Sequence, residues 1–240
     1  MERITKKANK KNRDKNKKKP IKIVLGITCW SHLYEGTESS LYQLTNHPYI
    51  IGRVKSTGAL VYEARNEIVK NAIEQFPDMT HLLFIDSDMT FGLDHMLALA
   101  ESGKDIISGV ACRRTPPFEP CYLSLDQASP FNDLLAQLKK PIDKQKPFRV
   151  DGVGMAFTLI SKKVLVRNHY NKDELWFYPE KDEDGVPKGE DYAFCNMAKK
   201  EGFKIWIHPT CQLGHLTEYL VSIRDWLNLH SDNYNLDHTN

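Results

Sequence analysis

The chain has 240 residues, 41% of them hydrophobic and 27% charged, with a formal net charge of +2. That balance excludes fibrous, collagen-like and wholly disordered classes and gives one soluble globular domain with a sizeable core. The longest apolar runs, 23–28 and 82–85, fall far short of the roughly 18 residues of a membrane-spanning helix, and no apolar stretch follows the N-terminal lysines as a secretory signal requires.

In chain order, residues 1–20 come first, with ten Lys/Arg against Glu2 and Asp14, a charge of +8 that leaves −6 on residues 21–240. Almost nothing in this segment is apolar, so it reads as a disordered basic tail until it meets a polyanion. The folded region is expected over 21–230, followed by a polar tail at 231–240. The run at 21–30, IKIVLGITCW, reads as a buried strand and SHLYEGTESS (31–40) as the loop after it. Ala64, Ile68, Val69, Ala72, Ile73 and Phe76 follow helical spacing up to Pro77, an amphipathic helix. HLLFID (81–86) is a second buried strand, a helical pattern runs from Leu93 to Ala100 and stops at Gly103, and DIISGVAC (105–112) is a third strand. Such alternation gives a parallel sheet covered by helices. Segment 112–123 carries three prolines and reads as irregular, and 130–147 as polar with one short helix near the sheet's edge. VDGVGMAFTLISKKVL (150–165) returns to strand character with Gly152 and Gly154. A charged loop (180–189) then precedes a helix at 190–201 closed by Gly202, a last strand at 204–209 and an amphipathic stretch at 218–230. The five cysteines form no C-x-x-C pair and are odd in number, so they read as reduced, mostly buried thiols.

Chemistry concentrates at Asp86-Ser87-Asp88. A buried strand ending in two carboxylates directs them into the crevice outside the sheet's carboxyl edge, where α/β proteins bind ligands. Two oxygen ligands there suit Mg²⁺ or Mn²⁺, with water and phosphate filling the remaining positions; the alternative is that Asp86 and Asp88 cap the next helix. The second Asp-x-Asp, Asp182/Asp184, lies in a hydrophilic loop and is assigned to solvent. Glu190 and Asp191 fall in the first turn of a helix after Gly189, where the helix dipole favours acids even without function, and where a carboxylate can serve as general base. His215 can supply an imidazole to a metal or be structural. Arg65, beside Asn66, can bridge phosphate oxygens or be an ordinary surface arginine. Trp176, Phe177 and Tyr178 offer flat faces for a sugar or belong to the core.

This ordered set of elements resembles the GT-A class of nucleotide-sugar glycosyltransferases, and most of all the short family-2-like enzymes of phage and bacterial genomes. The set comprises Ala64-Arg65-Asn66 on a helix, Asp86-Ser87-Asp88 at a strand end, the Gly152/Gly154 strand, Gly189-Glu190-Asp191 and Gly214-His215. The resemblance covers roughly 21–220 and implies a GT-A, Rossmann-like, mostly parallel sheet flanked by helices. It implies that Asp86 lies near the donor's ribose and that Asp88, with Asp86 and His215, holds Mn²⁺ or Mg²⁺ on the diphosphate. Asp191, with Glu190 beside it, would be the base of an inverting transfer. Arg65, Asn66, Ser87, Gly152 and Gly154 would belong to the donor site, and Trp176 and Tyr178 to the acceptor. The implied partners are a nucleotide-sugar donor and an acceptor that is a glycan, lipid-linked or polyanionic. The stretch Cys29-Trp30-Ser31-His32 lacks the proline and small residues of the typical family start, so the base is left open. A sugar-phosphate nucleotidyltransferase is the rival enzyme, but SHLYEGTESS lacks its basic glycine-rich signature. The rival from another class is a non-catalytic polyanion-binding protein using residues 1–19, which would also suit an anionic membrane surface. The expected location is the cytoplasm, peripheral to a membrane if the tail binds one, or host cytoplasm if the protein is viral.

Overall fold

A computed structural model describes residues 20–58, 60–125, 130–167, 175–181, 185, 187–217 and 220–229. The basic tail, the 231–240 tail and Asp182/Asp184 lie outside the described residues. The chain opens with β1 (Ile23–Cys29), α1 (Glu35–Thr45), β2 (Ile50–Thr57), α2 (Val61–Gln75), β3 (His81–Asp86), β4 (Met89–Thr90), α3 (Leu93–Glu101) and β5 (Ile106–Val110). It continues through β6 (Tyr122–Leu123), α4 (Pro130–Leu138), β7 (Phe148–Val150), β8 (Gly152–Val153), β9 (Phe157–Ser161) and α5 (Lys162–Leu165). The final elements are β10 (Glu180–Lys181), β11 (Pro187–Lys188), α6 (Glu190–Lys200), β12 (Ile205–Gln212), β13 (Gly214–Leu216), β14 (Leu220–Val221) and α7 (Ile223–Leu229).

Seven strands form the main sheet in the order β2-β1-β3-β9-β5-β12-β7. β1 pairs in parallel with β2 and β3, and β12 with β5, whereas β9 runs antiparallel between β3 and β5 and β7 runs antiparallel at the edge. The sheet is therefore mostly parallel, with one reversed strand near its centre. Successive residues of β3 serve opposite faces: Leu82 and Phe84 join the core containing Ile68, Ala72 and Phe194, while Leu83 and Ile85 join the one containing Leu44, Met96 and Phe157. Burial on both faces is why this strand reads as an unbroken apolar run. All five cysteines are unpaired and four are buried.

Two parts of the N-terminal half differ from the sequence expectation. Residues 35–45 are helical, not loop, because the buried stripe of α1 is only Thr37, Ser40, Leu41 and Leu44, half of it polar and invisible to an apolar pattern. The Ser40 and Thr37 hydroxyls are satisfied by the carbonyls of Gly36 and Ser87 at 2.9 and 2.8 Å, which makes their burial affordable. β2 is an added edge strand. Its inward positions Val54 and Ser56 alternate with exposed Arg53, Lys55 and Thr57, the period of a strand with one wet face.

Candidate active site

The parallel strands end at one edge, and the site is built there. Asp86 closes β3, and the Ser87 carbonyl just beyond it accepts from the Thr37 hydroxyl (2.8 Å) and the Tyr34 amide (3.1 Å), pinning the turn to α1. β4 then pairs antiparallel with β13, setting His215 opposite Met89, and the Leu216 amide donates to the Asp88 carbonyl at 2.7 Å. This pairing joins two residues 127 positions apart: His215 Nε2 lies 3.3 Å from Asp88 Oδ2. His215 Nδ1–H donates to the Cys112 carbonyl at 2.7 Å. In the neutral ring that bond fixes the tautomer and leaves the Nε2 lone pair aimed at a carboxylate oxygen, two acceptors face to face. A proton on Nε2 or a cation between the two groups resolves the conflict, and Arg114 Nη1 lies 3.2 Å from the same Asp88 oxygen.

Asp88 and His215 thus form a donor pair suited to a divalent ion. Among the described residues no group of three or more His, Cys, Asp or Glu converges on one point. Asp86 stands apart from the pair because it receives the Thr28 hydroxyl and faces Arg65 Nη2 at 3.4 Å through both oxygens. Two protein ligands fit an Mg²⁺- or Mn²⁺-type site that completes its shell with water and diphosphate oxygens.

The second half of the site is a buried charge cluster. Arg65, on the first half of α2, is only 4% exposed. Its Nη1–H donates to Glu190 Oε1 while Nη2 faces Asp86, and its guanidinium lies 5.9 Å from the centre of the Phe177 ring. It therefore ties the end of β3 to the start of α6 from beneath and is not a surface arginine. Asp191 is the next residue on α6. Burial pushes its carboxyl above the ordinary aspartate range, with Arg65 opposing and the Glu190 charge reinforcing that shift. Gly154 brings its backbone close to this carboxylate: a Cβ there would sit 3.6 Å from Asp191 Oδ2. Cys121, whose neighbours include Asp191 and Asp86, has its thiol pushed up to about 11 by burial, so it is protonated near neutral pH and no nucleophile.

Several residues expected at the site have other work. Asn66 Nδ2 donates to the Tyr62 and Phe177 carbonyls (2.9 and 2.7 Å), and its Oδ1 accepts from the Trp176 and Phe177 amides (2.9 and 3.0 Å). It clamps the 176–177 segment onto α2. The Trp176 indole N–H donates to the Leu165 carbonyl at 2.7 Å, in a hollow with Lys70, Ile73 and Glu74 that contains none of the site acids. Phe177 is fully buried and stacks on Phe194 at 4.8 Å. Tyr178 is half-buried, its phenol raised by that burial and by Glu180. Gly152 meets Tyr192 of α6, whose ring carbon Cδ1 would lie 2.8 Å from an added Cβ.

A cleft of about 180 Å³ opens above Asp86 and Asp88, lined by Thr28, Cys29, Trp30, Gly58, Val61, Ala64 and Ser87. Trp30 is 77% exposed at its rim, with Val61 also on its wall and exposed Leu60 next in sequence. The sequence signal for Trp30 is an aromatic directly after the end of a buried strand. A larger hollow of about 410 Å³, bounded by Phe91, His95 and Arg224, contains none of the site acids.

The mostly parallel sheet with one reversed central strand is the GT-A-type fold of glycosyltransferases. No protein-family model matches this sequence, and no curated protein is similar to it. Among solved structures, the A197 protein from STIV shares the fold with a TM-score of 0.55 at 15% identity, over 82% of this chain and 86% of that one. GalNAc-T7, whose crystal structure holds UDP, GalNAc and Mn²⁺, gives a TM-score of 0.52 at 10% identity over 89% of this chain. The match covers 48% of GalNAc-T7, so this chain spans about half of that protein's length.

Proposed function

We propose that this chain is a metal-dependent glycosyltransferase that moves a sugar from a nucleotide-diphosphate donor to an acceptor hydroxyl. The observation that carries this reading is the Asp88–His215 pair, 3.3 Å apart at the carboxyl edge of β3 and beside an open cleft. The UDP and Mn²⁺ in the GalNAc-T7 structure, on the same fold, support the same donor chemistry. A divalent ion held by Asp88 and His215 would neutralise the charge that develops on the leaving diphosphate. In this reading Asp86, which lines the cleft, meets the donor's ribose, and the exposed Trp30 ring at the rim offers a stacking face for the base.

Asp191 is the base in this reading. The acceptor oxygen attacks the anomeric carbon as the bond to the diphosphate breaks, and the acceptor proton passes to the Asp191 carboxylate. Burial raises the proton affinity of that carboxylate, which improves it as a base toward a hydroxyl. Attack from the face opposite the diphosphate inverts the anomeric centre. The +8 segment at residues 1–19 suits an acceptor that is polyanionic or lies at an anionic membrane surface.

The test is release of nucleoside diphosphate from a panel of nucleotide sugars, with Mn²⁺ or with EDTA, for the wild type and Asp88→Ala. Metal-dependent release from one donor, lost in Asp88→Ala, is expected. Silence across the panel, with no metal-dependent nucleotide binding by calorimetry, would refute the reading. The product's anomeric coupling in NMR checks inversion.

A further inference from the structure

Arg114 has no place in the reading above, yet it touches the same Asp88 oxygen as His215. It stands in a loop closed by the Cys112–Pro120 bridge, the Arg113 amide on the Glu119 carbonyl (2.9 Å) and the Cys121 amide on the Ala111 carbonyl (2.8 Å). Within the loop the Phe118 amide donates to the Thr115 carbonyl at 2.9 Å and the Phe118 side chain is buried. The backbone is held while the Arg114 side chain stays 48% exposed. The same loop therefore serves both members of the pair: the Cys112 carbonyl orients His215, and Arg114 lies 3.2 Å from Asp88.

Resting on the metal-and-donor reading above, we propose that Arg114 is a tethered counter-cation of the metal position, exchanged for the ion and then turned onto the donor's diphosphate. A guanidinium and a divalent ion on one carboxylate oxygen repel each other, so the ion has to displace Arg114 from Asp88. Displaced, Arg114 carries a planar fork of N–H donors on a long side chain beside the point where an ion-bound diphosphate must lie. The exchange opposes ion binding in the absence of nucleotide and favours diphosphate binding in its presence. Metal and nucleotide are thereby coupled, each tightening the other.

The experiment uses the full chain as wild type, Arg114→Gln, Arg114→Lys and Asp88→Asn. Mn²⁺ alone is titrated by its free-ion paramagnetic resonance signal, and UDP and GDP are titrated calorimetrically at saturating Mn²⁺. Arg114→Gln is expected to bind Mn²⁺ alone about tenfold more tightly, the scale of one neighbouring like charge. The same variant should bind the diphosphate roughly tenfold or more weakly, the worth of a lost charge-assisted hydrogen bond. Arg114→Lys should keep Mn²⁺ affinity near wild type and recover only part of the diphosphate affinity. Unchanged or weaker Mn²⁺ binding in Arg114→Gln, or unchanged diphosphate binding, overturns the proposal; if Asp88→Asn still loses Mn²⁺, the metal reading stands without it. If Asp88→Asn binds Mn²⁺ as the wild type does, or no protein of the four binds it, the metal reading itself fails and the Arg114 proposal with it.

Discussion

Replacing Arg65 with methionine tests the buried charge cluster directly. The guanidinium is 4% exposed, and its partners Asp86 and Glu190 are 28% and 17% exposed. Methionine fills much of the stem's volume, so the change removes a charge more than it opens a cavity. Breaking a buried pair by removing one partner costs about 3–5 kcal/mol, because a carboxylate is left without compensation. Here two carboxylates lose their partner and Asp191 loses the cation that opposes its rise. The residual exposure of Asp86, and its 3.4 Å separation from the guanidinium, place the cost nearer 3 kcal/mol. For a chain of this size that corresponds to a fall in Tm of roughly 6–12 °C. Urea denaturation with unchanged slope, followed by circular dichroism, measures it. Arg65→Lys should recover part of the loss, since one ammonium keeps the charge without the fork that reaches Asp86 and Glu190 together. A cost below about 1 kcal/mol for Arg65→Met would mean that the carboxylates are fully solvated without the arginine, and the view of Arg65 as the tie between β3 and α6 would fall.

Asp191→Asn should lower transfer by about 10²–10⁴-fold while donor binding is kept, as expected for loss of a general base. In the wild type the base form of Asp191 is lost as pH falls, and because burial raises its pKa the acid limb of the rate profile should lie above the ordinary aspartate value of about 3.9. Asp191→Asn should lack that limb, and a wild-type rate flat down to pH 4 would exclude Asp191 as the base. Trp30→Ala, at a site 77% exposed, should leave Tm unchanged and weaken nucleotide binding by about 1–3 kcal/mol in calorimetry; equal affinity would remove Trp30 from the donor site. Gly152→Ala drives a methyl to within 2.8 Å of Tyr192 and should cost about 1–3 kcal/mol in chemical denaturation, by shifting the start of α6.

The sequence by itself determined the elements whose signals are local. β1 and β3 are buried on both faces and so read as unbroken apolar runs, and α2, α3 and α6 repeat apolar residues at helical spacing up to Pro77, Gly103 and Gly202. Position at the end of such a strand also singled out Asp86 and Asp88 over Asp182/Asp184. What it could not determine depends on pairing between distant segments. The reversal of β9 between β3 and β5 is set by long-range hydrogen bonds that leave no period in the chain, and α1 hides because half its buried stripe is Thr37 and Ser40. The resemblance already put Asp88 with His215, but the tertiary structure decided how these and the other polar groups meet. Asp88 faces His215 because β4 pairs with β13, Arg65 is drawn beneath the site by Asp86 and Glu190, and Asn66 is consumed by the backbone at 176–177. A side chain's chemistry is set by its partners and its burial, and both are properties of the packed chain, not of the residue's place in the sequence.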